Sequence, residues 1–154
     1  MAKSRITGGS QLRGSLRQIS TGLTVPINEA SRKALQPTLK AAKRNLKANG
    51  SVESGELLKL MTIRKDPDAP KDKPRHVVGP ATTNPAYREA HLVEFGTAPH
   101  FQPELHRLHP GAQAKPFLRP AFEETKGGAI KRFGESIGPA IEKRAARLER
   151  KRKP

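Results

Sequence analysis

The stretch Leu60-Met61-Thr62-Ile63-Arg64-Lys65 decides the fold class, because its side chains alternate in the way that is typical of a β-strand. A loop from Asp66 to Pro74 follows it and contains three prolines. The segment His76-Val77-Val78-Gly79 then supplies a short second strand with β-branched residues. Two short strands on either side of such a loop predict a small antiparallel sheet.

Helical spacing is found on both sides of this predicted sheet. Residues 27–48 form the first predicted helix, in which Pro37 is expected to introduce a kink or to start a second helix. Residues 87–95 predict a short helix, residues 98–115 are interpreted as irregular, and Pro116 opens a long final helix. The order of elements predicts an α+β domain, in which a small antiparallel sheet packs with an N-terminal helix and a long C-terminal helix.

The positive charge of the chain is concentrated at its two ends. The 154 residues include 30 Lys and Arg against 14 Asp and Glu, a net charge of +16. Four bases and no acid precede Val25, whereas seven bases and two acids lie from Glu142 onward. We therefore predict extended basic termini, an arm over residues 1–26 and a tail over 142–154, around a domain over 27–141. Such ends favour a negatively charged partner, either nucleic acid or an acidic protein surface.

Composition and motifs argue against several classes of function. The chain has no cysteine, which excludes disulfides, thiolate zinc sites and a cysteine nucleophile. No apolar run approaches a membrane span of about 20 residues, and the basic N-terminus lacks the apolar core of a signal peptide. We therefore expect a soluble protein that is made in the cytoplasm and has no membrane partner.

No residue pattern indicates catalysis. Glycine-rich phosphate loops and serine hydrolase motifs are missing, and Glu123-Glu124 fit the positive end of a helix dipole better than an acid–base pair. His100, His106 and His109, with Glu104 nearby, lack the spacing of a metal motif and are interpreted as parts of a solvated loop. We expect no enzyme activity, no catalytic residue, no cofactor and no metal site. His91 is expected to be a partly buried structural histidine.

Three segments together resemble a known family. They are Glu53-Ser54-Gly55-Glu56-Leu57, His91-Leu92-Val93-Glu94-Phe95-Gly96-Thr97 and Pro116-Phe117-Leu118-Arg119-Pro120-Ala121-Phe122. In this order and spacing they resemble the small head–tail joining proteins of tailed bacteriophages, which are also called neck, tail-completion or minor tail proteins. The resemblance spans residues 27–141, and its most specific part is the second segment followed by the third. Val52 departs from the pattern, because these proteins often have a proline there.

The resemblance implies a structural virion protein. Such a protein assembles as a six-fold ring in the phage neck, between the head connector and the tail, and leaves a channel for DNA. Implied partners are further copies of the chain, head connector or adaptor proteins, tail tube or tail terminator proteins, and passing DNA through non-specific contacts. Implied locations are the neck or tail of the virion and, during assembly, the host cytoplasm.

The same segments contain the predicted subunit and partner interface. Its residues are Glu94, Phe95, Phe117, Leu118, Arg119 and Phe122. The three large apolar groups of the third segment are too many for one helix face, so some are expected in the core and one or two on a neighbouring subunit. Arg119 is expected to pair with a carboxylate such as Glu94, in the same or an adjacent subunit.

The C-terminal bases leave a second function open. Their contact with DNA, docking on an acidic surface and simple solvation are all compatible with the sequence; the residues are Arg147, Arg150, Lys151, Arg152 and Lys153. The alternative function is a basic nucleic-acid-binding protein, either ribosome-associated or a packaging factor. The order and spacing of the mid-chain segments favour the neck protein over this alternative, because composition alone does not produce them.

Overall fold

The computed structural model describes residues 9–50, 55–70 and 73–152, and it confirms the mixed α+β class. The helices are α1 (Gly9–Thr21), α2 (Thr24–Ala48), α3 (Glu56–Leu60), α4 (Glu89–Phe95) and α5 (Leu118–Arg152). The strands are β1 (Met61–Lys65), β2 (His76–Pro80), β3 (His100–Gln102) and β4 (Arg107–His109). Short 3-10 helices cover Pro85–Arg88 and Pro103–Leu105.

Both described sheets are antiparallel pairs of strands. Strands β1 and β2 pair from Met61 opposite Pro80 to Lys65 opposite His76, which confirms the two strands predicted from the sequence. The alternation in β1 has its expected cause, because Met61 and Ile63 are buried on the core face. Strands β3 and β4 form a second, separate hairpin.

Helices α2 and α5 pack along each other and form the body of the fold. Small residues line the buried side of α2 at helical spacing, with Ala30, Ala34, Thr38 and Ala42 four residues apart. The Thr38 and Thr125 hydroxyls lie 2.7 Å apart in this interface. Because Thr125 donates its proton to the Ala121 carbonyl, Thr38 must donate to Thr125. The two helices are therefore joined by a buried and satisfied hydrogen bond.

One apolar cluster joins the helices to β1 and α4. Its residues are Ala41, Ala42, Leu46, Leu57, Met61, Ala90, Phe117 and Ala121. Phe117, Leu46 and Met61 are its largest fully buried side chains. Burying a side chain of this size stabilises the fold by about 1.5–3 kcal/mol. The start of α5 is therefore part of the core.

The prediction of an extended N-terminal arm is wrong for the described part of residues 1–26. Residues 9–21 form helix α1, and α2 begins at Thr24, before the predicted domain boundary at 27. Leu12, Leu16 and Ile19 recur at helical spacing, which indicates a helix. The Arg144 guanidinium donates to the Gln18 carbonyl at 3.1 Å, so α1 is anchored on the distant end of α5.

The prediction of an extended C-terminal tail is also wrong. Helix α5 runs without interruption past Pro139 to Arg152, so the predicted domain boundary at 141 falls inside a helix. Proline in a helix interior costs about 3 kcal/mol, because it removes one hydrogen bond and crowds the preceding turn. Beyond Pro139 the helix contacts α1, where Arg144 donates to the Gln18 carbonyl. Helix α2 likewise continues through Pro37, because it packs on α5 on both sides of that residue.

The prediction that residues 98–115 are irregular is wrong for residues 100–109. They contain the β3–β4 hairpin, in which Phe101 pairs with Leu108 and His100 with His109. A bridge between Thr97 and Ala112 closes the base of this hairpin. Strands of three residues are too short to give a readable alternation, so the sequence pattern does not reveal them.

Candidate assembly interface

The carboxylate of Glu94 caps the N-terminus of α5. Its Oε2 accepts the backbone N–H groups of Phe117 and Leu118 at 2.8 and 2.9 Å, and its Oε1 accepts that of Arg119 at 2.9 Å. The first N–H groups of a helix have no partner within it, and the helix dipole favours negative charge at this end. Glu94 therefore supplies acceptors and charge together, from a position where it is 8% exposed.

This cap joins the second and third sequence segments in the folded chain. Glu94 belongs to the second segment, and the three backbone groups that it binds belong to the third, 23 to 25 residues later. The expected side-chain pairing of Arg119 with Glu94 is wrong, because Glu94 binds the backbone of Arg119 instead. The Arg119 guanidinium is exposed and has no hydrogen-bond or ion-pair partner in the described part of the chain.

A clasp of backbone bonds holds α4 beside the segment that leads into α5. Gly96 ends α4 at φ 72°, and a Cβ there would lie 2.5 Å from the Ala112 carbonyl oxygen. Only glycine fits this turn without strain, because the backbone is left-handed and a Cβ would have no space. Thr97 and Ala112 exchange backbone hydrogen bonds of 2.9 and 3.1 Å. Lys115 donates its backbone N–H to Val93 at 2.8 Å.

Helix α2 holds the same segment from the other side. Asn45 donates its side-chain amide to the Phe117 carbonyl at 3.2 Å, and Asn49 donates to the Lys115 carbonyl at 2.9 Å. Arg44 forms an ion pair with Glu124 on α5, and this contact raises the pKa of Arg44. The first turns of α5 are thus fixed by both α2 and α4.

Two of the predicted interface residues lie inside the chain. Phe117 is fully buried in the core, and Glu94 is buried beneath the start of α5. Neither side chain is open to a neighbouring subunit, so their prediction as contact residues is corrected. Their physical role is to pack the core and to cap a helix.

Two other predicted interface residues lie at the surface around one apolar groove. Phe95 is 68% exposed and Phe122 is 55% exposed, whereas Leu118 is half-buried between them. The groove has a volume of about 560 Å³ and lies among α2, β2, α4 and α5. Its further lining residues include Leu35, Val77, Val78, Ala90 and Arg119. Sequence reasoning missed the contribution of α2 and β2, because only the tertiary fold brings those elements to this site.

Two histidines border the groove. His91 is exposed, not partly buried as expected, and its ring packs on that of Phe95 with the centroids 5.1 Å apart. The Nδ1 atom of His76 is buried and has no hydrogen-bond partner among the residues that the structure describes. Burial lowers the pKa of His76, and the positive charges of Arg32 and Lys65 lower it further. His76 therefore favours its neutral form in the folded protein.

The predicted C-terminal contact bases that the structure describes lie on helix α5; they are Arg147, Arg150, Lys151 and Arg152. Lys143, Arg147, Arg150 and Lys151 are exposed at spacings of four, seven and eight residues, which places them on one face of α5. We call these four residues the basic stripe. Arg152 is the last residue of α5, and Lys153 lies outside the described residues. The stripe can offer several cations to a phosphate backbone or to an acidic protein.

The remaining candidate chemistry does not converge. His100 and His109 stack across the β3–β4 hairpin with ring centroids 5.1 Å apart. Among the described residues, no three His, Asp or Glu side chains come close enough to hold a metal ion together. No helix in the described part of the chain is long and apolar enough to cross a membrane.

Comparisons of the chain with protein-family models, with curated proteins and with solved structures found no match. The resemblance to phage neck proteins therefore rests on the quoted sequence segments alone. Glu53 and Ser54 of the first segment lie outside the described residues. The second and third segments are fully described and form the cap, the clasp and part of the groove.

Proposed function

We propose that this chain is a non-enzymatic structural protein of a phage neck, which forms a ring between the head connector and the tail. The observation that carries the proposal is the arrangement around Glu94. One buried carboxylate joins the two segments that resemble neck proteins, and the same segments leave Phe95 and Phe122 uncovered at one groove.

Exposed apolar groups of this kind support a role in assembly. Phe95 and Phe122 lie within one concave surface, and apolar side chains that cluster around a groove favour a protein partner. Aromatic side chains that fill a neighbour's pocket contribute most of the binding energy in many interfaces. A ring protein needs such surfaces toward its own copies and toward the adjoining head and tail proteins, which are the partners that we propose.

The basic stripe supports a position next to passing DNA and other virion proteins. A neck ring surrounds passing DNA and adjoins other virion proteins, and a stripe of cations on α5 can serve either contact. The proposed locations are the virion neck or tail and, before assembly, the host cytoplasm.

The alternative function is a basic nucleic-acid-binding protein, and the basic stripe is the observation that favours it. The two functions predict that substitutions at different surfaces abolish activity. A nucleic-acid-binding protein loses its activity when the stripe is neutralised, with a strong dependence on salt. A joining protein loses its activity when the groove is altered.

The test is complementation of a phage that carries a nonsense mutation in this gene. Electron microscopy of the lysate should show DNA-filled heads and finished tails that are not joined. Wild-type protein supplied from a plasmid should restore joined particles, whereas Phe122→Asp should not. Glu135→Ala, an exposed control on the same helix that lies outside both the groove and the basic stripe, should restore them. Intact and infectious particles from the nonsense mutant would contradict the proposal.

A further inference from the structure

The β3–β4 hairpin has an apolar face that nothing in the described chain covers. Phe101 and Leu108 are cross-strand partners, so their side chains lie on the same face, and they are 58% and 69% exposed. Leu105 at the tip is 57% exposed. The other face is polar, with the stacked His100 and His109 and with Arg107 donating to Gln102 at 3.5 Å.

The hairpin stands apart from the core. None of the residues 98–111 is buried. It joins the body through the Thr97–Ala112 bridge, and Gly96 and Gly111 adopt positive φ at its two ends. A two-stranded hairpin alone is only marginally stable in water. An amphipathic hairpin on a firm base, with an uncovered apolar face, is suited to insertion into a partner's surface.

The groove has the complementary shape and chemistry. It is concave and mostly apolar, and Arg119 and Phe122 lie three residues apart on the same face of α5. The exposed Arg119 guanidinium thus adjoins an apolar lining. The hairpin carries Glu104 at its tip, between Phe101 and Leu108 in sequence. An apolar face with one carboxylate matches an apolar groove with one cation.

We propose that the β3–β4 hairpin of one copy of the chain inserts into the groove of a second copy, with Glu104 pairing with Arg119. This inference deepens the proposed neck function and rests on it for the expectation that copies of the chain meet in a ring. Two concave grooves cannot fill each other, whereas a projecting hairpin can fill a groove. The contact joins different surfaces of the two copies, so it can repeat head-to-tail from copy to copy, and such a contact generates a ring when its rotation closes.

The large positive charge explains why such a contact would be sensitive to conditions. Each copy carries a net charge of +16, so two copies repel each other at low ionic strength. The local Glu104–Arg119 pair and the buried apolar area oppose this repulsion. Moderate salt, which screens the net repulsion while leaving apolar burial intact, should therefore strengthen self-association.

Engineered cysteines test the contact directly, because the full chain contains no cysteine of its own. One set of variants carries Leu105→Cys or Leu108→Cys on the hairpin, and another carries Val77→Cys or Phe122→Cys at the groove. Leu12→Cys on α1 is the exposed control. Under mild oxidation at high protein concentration and moderate salt, a hairpin variant mixed with a groove variant should form disulfide-linked dimers. Each variant mixed with Leu12→Cys should form them at least tenfold more slowly.

Charge exchange provides a second test on the same pairs. Glu104→Arg or Arg119→Glu alone should slow the mixed cross-link severalfold, and the exchange of both charges should restore it. Cross-links of a hairpin variant with itself, at the rate of the mixed pair, would overturn the proposal in favour of a hairpin-to-hairpin contact. The absence of a mixed cross-link above the Leu12→Cys background would also overturn it.

These outcomes separate the contact from the neck function. Mixed cross-links together with intact particles from the nonsense phage would leave the contact standing and refute the neck function. Unjoined heads and tails without mixed cross-links would refute the contact alone, and the groove would then belong to a different virion protein.

Discussion

Replacement of Glu94 by alanine should destabilise the protein by about 3 kcal/mol. The carboxylate accepts three backbone N–H groups at the start of α5. Hydrogen bonds to a charged group contribute about 1.5–3 kcal/mol each, so the loss of three fully buried bonds would cost about 4.5 kcal/mol or more. The N–H groups of Leu118 and Arg119 are only partly buried and can bind water after the substitution. The N–H of Phe117 is buried and cannot bind water. Because only one of the three groups loses its partner completely, the expected loss of stability is about 3 kcal/mol.

Urea and thermal unfolding followed by circular dichroism provide the measurement. For a domain of this size a loss of 1 kcal/mol lowers Tm by about 2–4 °C, so Glu94→Ala should lower it by about 6–12 °C. Glu94→Gln retains one acceptor oxygen and should lose about half as much. The matched control is Glu135→Ala, whose exposed partner Lys131 lies 4.0 Å away, and its effect should stay within about 0.5 kcal/mol. A loss below about 1 kcal/mol for Glu94→Ala would refute the capping argument.

Three further predictions concern single residues. Gly96→Ala should lower the free energy of unfolding by about 3 kcal/mol, because it combines a left-handed backbone with a clash at Ala112. Gly50→Ala, with φ 68° and open space, should lower it by about 1 kcal/mol. Equal losses of the two variants in urea unfolding would contradict this prediction. Burial and nearby cations lower the pKa of His76, so the unfolded chain binds a proton first and stability should fall as the pH drops below its ordinary 6.5; His76→Gln should show a weaker decline in unfolding experiments across that range. Phe117→Ala should lower the free energy of unfolding by about 3–5 kcal/mol, because Phe117 is fully buried. Phe95→Ser should leave the free energy of unfolding nearly unchanged, and a large loss would contradict the exposed position of Phe95.

The paired strands and the long helices could be predicted from local patterns. In β1 one face is buried and the other is not, so apolar and polar side chains alternate along its sequence. The stripes of α2 and α5 persist over several turns, which makes their existence readable although their ends are not. Helix α1 was missed, because Gly9 and Gly14 lower its helix propensity and its anchor on Arg144 is 126 residues distant.

The site was predictable as a set of segments but not as an arrangement. The sequence marks Glu94 and the segment from Pro116 to Phe122 as related, but it offers no means to tell a side-chain pair from a capped helix. Phe117, Leu118 and Phe122 are equally apolar in sequence, and only the direction in which α5 leaves the core separates the buried Phe117 from the exposed Phe122. Local pattern therefore identifies the residues, and tertiary packing assigns their roles.

The capped start of α5 and the basic stripe lie far apart on one helix, which allows their roles to be separated. Phe122 and Lys143 are separated by 21 residues of α5, or about 30 Å at the helical rise. Loss of a cap acts on the first turn of a helix, so Glu94→Gln should disturb the groove and leave the stripe in place. At a temperature where this variant remains folded, we expect weaker joining of heads to tails with unchanged, salt-dependent binding of DNA. An equal loss of both activities would mean that the helix responds as a whole, and the groove would then have no separate role.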